Sequence, residues 1–86
     1  MSSNKEADIA QILKNVKNKC SELDISLIFD KIENDGGLCK YRNKIFIVIN
    51  KFYTDHQKLS IFFNEIERAE LNADFEELKK QFLNIK

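Results

Sequence analysis

The sequence predicts a small α+β domain in the order helix, strand, strand, strand, helix, helix, with a three-stranded, mainly antiparallel sheet. Three observations carry this. Ile9, Ile12, Leu13, Val16, Cys20 and Leu23 recur at spacings of three and four, the stripe of an amphipathic helix. Phe46 to Ile49 is unbroken by charge, which suits a strand covered on both faces. Soon after it, Thr54 and Gln57 can form a reciprocal cap, and Leu59, Phe62, Phe63, Ile66 and Ala69 then fall on one helical face.

Length and composition bound the answer. With 86 residues there is room for one domain, residues 1–86, and not for two. The chain is 43% hydrophobic and 33% charged with two glycines and no proline, which argues against disorder and against a sandwich of many short strands. Fourteen basic residues balance fourteen acidic ones, so no global field favours nucleic acid or an anionic membrane. No stretch has the length of a membrane span, and the first residues, MSSNKEAD, are polar where a signal peptide is apolar. The expected compartment is the cytoplasm, with Cys20 and Cys39 as reduced thiols.

In chain order, Ser3 to Glu6 reads as a capping box for the first helix, expected from about Asn4 to Ser21 or Glu22. Asp24 breaks the helical period, and Ile25, Leu27 and Phe29 alternate with other residues as in a strand. Glu33 to Gly37 reads as a loop holding both glycines, and Leu38 to Arg42 as the next strand. Asn43, which tolerates left-handed backbone angles, marks a tight turn into the third strand, making an antiparallel hairpin. After the Thr54 helix, Leu71 to Asp74 reads as an interruption rather than a sharp stop, because it lacks glycine and proline. Phe75, Leu78, Phe82 and Leu83 then mark a C-terminal helix capped by Asn72 or Asp74. The first helix and the Thr54 helix should share one sheet face, over a core that includes Ile12, Val16, Phe46, Val48, Phe62 and Ile66.

The stretch from Ile47 reads I-V-I-N, then a polar turn, then a helix carrying Asn64-Glu65-Ile66-Glu67-Arg68. Across roughly residues 9 to 70 this order resembles the core of the ImmA/IrrE-like zinc metallopeptidases. That family bears His-Glu-x-x-His on the corresponding helix: the histidines hold zinc and the glutamate activates water. The resemblance places Asn64 and Arg68 where the two histidines belong, and only Glu65 matches. Arginine is a fixed cation with no lone pair for zinc. The family's third ligand lies beyond the segment this chain supplies. The resemblance therefore implies a shortened, degenerate relative with neither metal nor cofactor, and no catalysis is expected.

Other residues have plain explanations. Glu65, Glu67, Arg68 and Glu70 suit a solvated helix face, with Arg68 pairing one turn back. His56 stands alone and suits a surface or capping role. Cys39 lies beside Lys40 but has no histidine partner, so it reads as a small buried residue. Gly36-Gly37 lacks the spacing of a phosphate loop. Lys40, Arg42, Lys44 and Lys51, with Tyr41 and Tyr53 among them, form a basic and aromatic hairpin. That pattern suits a weak nucleic-acid binder, but lysines also guard an edge strand against aggregation.

Seven phenylalanines exceed what one face of such a sheet readily covers. The expected function is accordingly a non-catalytic protein-interaction or self-association module, with a homodimer or protein partner meeting Phe63, Phe75, Leu78 and Phe82. The alternatives are a hydrolase that uses Glu65 with an unexpected or partner-completed metal site, and a nucleic-acid binder acting through the hairpin lysines.

Overall fold

The architecture is taken from a computed structural model that describes residues 5–33 and 36–85. Helix α1, Lys5–Glu22, places Ile9, Ile12, Leu13, Val16 and Cys20 in the core, as the stripe requires. The Ser3–Glu6 capping box lies outside the described residues. The helix stops because Asp24 takes a left-handed φ of 60°, a conformation that an aspartate tolerates better than most side chains. Leu23, the last member of the stripe, is exposed at this turn.

Three strands follow: β1 (Ile25–Asp30), β2 (Gly36–Tyr41) and β3 (Lys44–Asn50), in the spatial order β1-β3-β2. The sheet is mixed. β2 and β3 form the expected antiparallel hairpin, whereas β1 lies parallel to β3, so that Leu27 and Leu38 flank Ile47. Two details correct the sequence reading. Both glycines belong to β2 rather than to the preceding loop. In the hairpin turn it is Arg42, with φ 59°, and not Asn43, that takes the left-handed angle.

Helix α2, Asp55–Arg68, starts as expected. The Gln57 N–H donates to Thr54 Oγ1 at 3.1 Å, and the Thr54 N–H donates to Gln57 Oε1 at 3.0 Å, so two otherwise orphaned donors are satisfied. Leu59, Phe62, Phe63 and Ile66 are buried along it. The helix then ends sharply rather than fading. Glu70, at φ 60°, holds the position where glycine is usual; the Leu71 N–H reaches the Ile66 carbonyl at 2.9 Å and the Glu70 N–H reaches the Glu67 carbonyl at 3.0 Å. A 3-10 turn, Asn72–Phe75, leads into helix α3, Glu76–Leu83. Neither Asn72 nor Asp74 caps α3; Phe75 occupies the cap position and makes no side-chain cap bond.

α1 packs on β1, α2 packs on β2 and β3, and the two helices touch each other, so they share one face of the sheet. Alternation along β3 sends Ile47 and Ile49 into that core, both fully buried. Phe46 and Val48 point to the opposite face and are only half-buried, contrary to their expected place in the core. The cause is that helices cover one face of the sheet alone. A continuous apolar strand is compatible with two covered faces and does not require them.

The C-terminal segment folds back on its own chain. Phe62 meets Phe75 edge to face at 5.1 Å, Phe63 meets Phe82 at 5.5 Å, and Lys79 Nζ pairs with Glu67 Oε2 at 2.8 Å across α3 and α2. Phe63, Phe75 and Phe82 are therefore buried core groups, and Leu78 is half-buried against them. This corrects the expectation that the four present an interaction surface. The α2 face looked too wide for one neighbour because it has two neighbours within the same chain, the sheet and the C-terminal segment.

Of the two cysteines, Cys20 is buried in α1, as its place in the stripe requires, whereas Cys39, expected to be a small buried residue, is exposed on β2. Burial pushes the Cys20 thiol up to about 12 from its ordinary 9.0. The unfolded chain releases this proton near pH 9 and the folded chain retains it, so stability is unaffected below pH 9 and falls as pH rises through the interval to 12. Denaturation at pH 8 and pH 10 should show the wild type losing about 1.4 kcal/mol more than Cys20→Ala over that step. Equal losses in the two proteins would contradict the burial of this thiol.

Candidate functional site

Glu65 lies on the side of α2 that overhangs β2. Its Oε1 accepts from the Leu38 N–H at 3.3 Å, and its Oε2 accepts from Arg68 Nη1 at 3.1 Å. The first contact joins residues 27 apart in sequence, because β2 is an edge strand lying beneath α2. The second is the one-turn pair expected on a helix. Glu65 is largely shielded, with its side chain 18% exposed, whereas Arg68 stands at 79%. A pair with so exposed a partner contributes little to stability.

Two shallow recesses flank this carboxylate. One of about 390 Å³ is lined by Gly36, Ile61, Asn64, Glu65, Glu67 and Arg68. The other, of about 420 Å³, lies among Leu38, Lys40, Glu65, Arg68 and Ala69. The donor set here does not fit the zinc that the resemblance implies. Asn64 is exposed, Arg68 offers only donors, and both Glu65 oxygens already accept hydrogen bonds within the chain. Among the described residues no three His, Cys, Asp or Glu side chains gather where they could hold one ion. His56 is remote from this groove: it sits in the first turn of α2, with its ring 4.8 Å from that of Phe82.

The hairpin cations do not form one stripe. Lys40, two residues along the edge from Leu38, lines the recess beside Glu65 and Arg68. Lys44 alternates to the other face, opposite Tyr41, whose ring carries the Arg42 guanidinium 5.2 Å away. Lys51 lies past the end of β3, over Phe52 at 5.5 Å. A nucleic-acid strand needs a continuous basic track, and these groups are divided between the two faces and the end of the sheet.

What the sequence reading missed is the other face of the sheet. Strand alternation brings Ile28, Cys39, Tyr41, Phe46 and Val48 to it, with Val48 between Ile28 and Gly37 and Phe46 between Ser26 and Cys39. Tyr41 is 61% exposed and Ile28 40%. No described helix packs there. The parity of the apolar residues in β1 and β3 was the available signal, but without the helix placement nothing said which parity faced inward.

No helix among the described residues is long and apolar enough to cross a membrane. Comparison with protein-family models, curated proteins and solved structures gives no match to this chain.

Proposed function

We propose that this chain is a non-catalytic protein-interaction or self-association module, built on a shortened, metal-free relative of the ImmA/IrrE-like peptidase core. The observation that carries the reading is the apolar sheet face of Ile28, Tyr41, Phe46 and Val48, which no described helix covers. The engagement of Glu65 by Leu38 and Arg68 supports it from the other side, since a water-activating carboxylate needs a free oxygen beside a metal. The partner is a protein rather than a membrane or a nucleic acid, and the expected setting is the cytoplasm.

Two measurements test this. Immobilised intact protein should retain a protein partner, itself included, that the surface variant Tyr41→Glu retains at least about tenfold less, a difference of about 1.4 kcal/mol. Equal retention by both would remove the sheet face from the reading. Loaded with zinc and dialysed, the protein should keep far less than one ion per chain and cleave no peptide. One retained zinc together with a cleavage lost in Glu65→Gln would make it a hydrolase instead.

A further inference from the structure

The open face of the sheet carries a charge at each end, and the two charges are opposite. Between them runs a diagonal apolar stripe. Ile28 on β1 is level with Val48 on β3, Phe46 is level with Cys39, and Tyr41 closes the stripe on β2. Asp30 continues the parity of Ile28 at the end of β1. At the other end Lys44 opens β3 opposite Tyr41, with the Arg42 guanidinium on the Tyr41 ring. Asp30 Oδ1 accepts from the Lys31 N–H at 2.7 Å, and neither Asp30 nor Lys44 has an ion-pair partner among the described residues. Both side chains are exposed.

Such a face is complementary to itself in one orientation. Asp30 lies level with Asn50, six residues along β3 from Lys44, so the two charges stand about 20 Å apart. Two copies laid face to face with their strands running in opposite directions bring Asp30 of each over Lys44 of the other. With the strands running the same way, Lys44 would meet Lys44 and Asp30 would meet Asp30, a repulsion at both ends. The antiparallel arrangement turns about a point level with Ile47, midway between Phe46 and Val48, so Val48 of one copy lies over Phe46 of the second. Gly37, level with Val48, has no side chain to hold the sheets apart. Fourteen basic and fourteen acidic residues leave no net charge to drive the copies from each other.

We propose that the open sheet face is closed by a second copy of this chain, strands antiparallel about a twofold axis level with Ile47, with Asp30 over Lys44 at both ends. The inference rests on the reading as an association module and names the partner of its sheet face. The assembly is then a stack of helices, sheet, sheet and helices, with the sheets about 10 Å apart. The charges set the orientation and the apolar stripe supplies the attraction. A face of three strands is only about 10 Å wide and 20 Å long, so the contact falls at the small, concentration-dependent end of protein interfaces.

Light scattering of the whole chain from micromolar to near-millimolar concentration should show the mass rising from 10.1 kDa toward twice that value. Asp30→Lys and Lys44→Asp should each weaken this association at least about tenfold, because each places like charges at both ends of the contact. An equal mixture of the two variants should recover the dimer, since every end then joins opposite charges. The double variant Asp30→Lys with Lys44→Asp should recover it within one chain. Recovery in both cases also shows that the single variants lose association and not their fold. A wild-type mass fixed at 10.1 kDa, or single variants that dimerise as the wild type does, would overturn the pairing. So would a mixture that stays monomeric. A monomer whose immobilised form still retains another protein, and loses it with Tyr41→Glu, would overturn this pairing alone and leave the module reading standing.

Discussion

Phe62→Ala should lower the unfolding free energy by about 3–5 kcal/mol, a large share of the about 5–15 kcal/mol that holds a domain of this kind together. Phe62 is 1% exposed and sits at the middle of α2, the helix that joins the sheet to the C-terminal segment. Its ring makes edge contacts with Phe63 at 5.4 Å and with Phe75 at 5.1 Å. Truncation therefore removes the transfer energy of a whole ring and leaves a cavity that two other rings line. That cavity cannot close easily, because Phe75 is fixed by the 3-10 turn and Phe63 is held against Phe82 from α3. Phe52→Ala provides the comparison: at 69% exposure, the same chemical change should cost no more than about 0.5 kcal/mol. Urea denaturation of both variants decides the matter. A Phe62 loss below about 1 kcal/mol would mean that α2 does not face the core as described.

The parts of the fold that were legible in the sequence are those written in local chemistry. The Thr54–Gln57 box, the α1 stripe and the hairpin each depend on residues a few positions apart, and each stands where it was expected. What was hidden depends on which elements meet. The run from Phe46 to Ile49 looks the same whether helices cover one face or two, so the burial of Ile47 and Ile49 over Phe46 and Val48 could not be read from it. Cys39 turned outward for the same reason. The sharp end of α2 was obscured because Glu70 does what glycine usually does there, at a conformational cost that the helix-end hydrogen bonds help to offset. At the candidate site the Glu65–Arg68 pair was legible, since it spans one helical turn, but the bond from Leu38 was not. That bond requires β2 to be an edge strand under α2, and only the strand order places it there.

Gly36→Ala should cost about 3 kcal/mol or more, while Gly37→Ala, one position along the same strand, should stay within about 1 kcal/mol of the wild type. The two glycines read alike in the sequence and occupy different surroundings. Gly36 has φ +120°, a conformation that side chains of ordinary handedness rarely adopt. A β-carbon there would collide with the Val48 carbonyl oxygen and approach the Ile49 Cα to 2.9 Å. Both are backbone atoms of β3, the central strand, which is paired with β1 on one side and β2 on the other and so cannot yield. The alanine must instead displace the start of β2. Such a shift would also disturb the edge downstream, where the Leu38 N–H meets Glu65. At Gly37 the added carbon would meet nothing within 4 Å, because its direction is toward the open face of the sheet. Equilibrium denaturation of the two variants is the measurement, and the difference between them matters more than either value. Equal, small losses would show that β2 does not approach β3 this closely, and with that the edge-strand position on which the Leu38–Glu65 bond depends would fall.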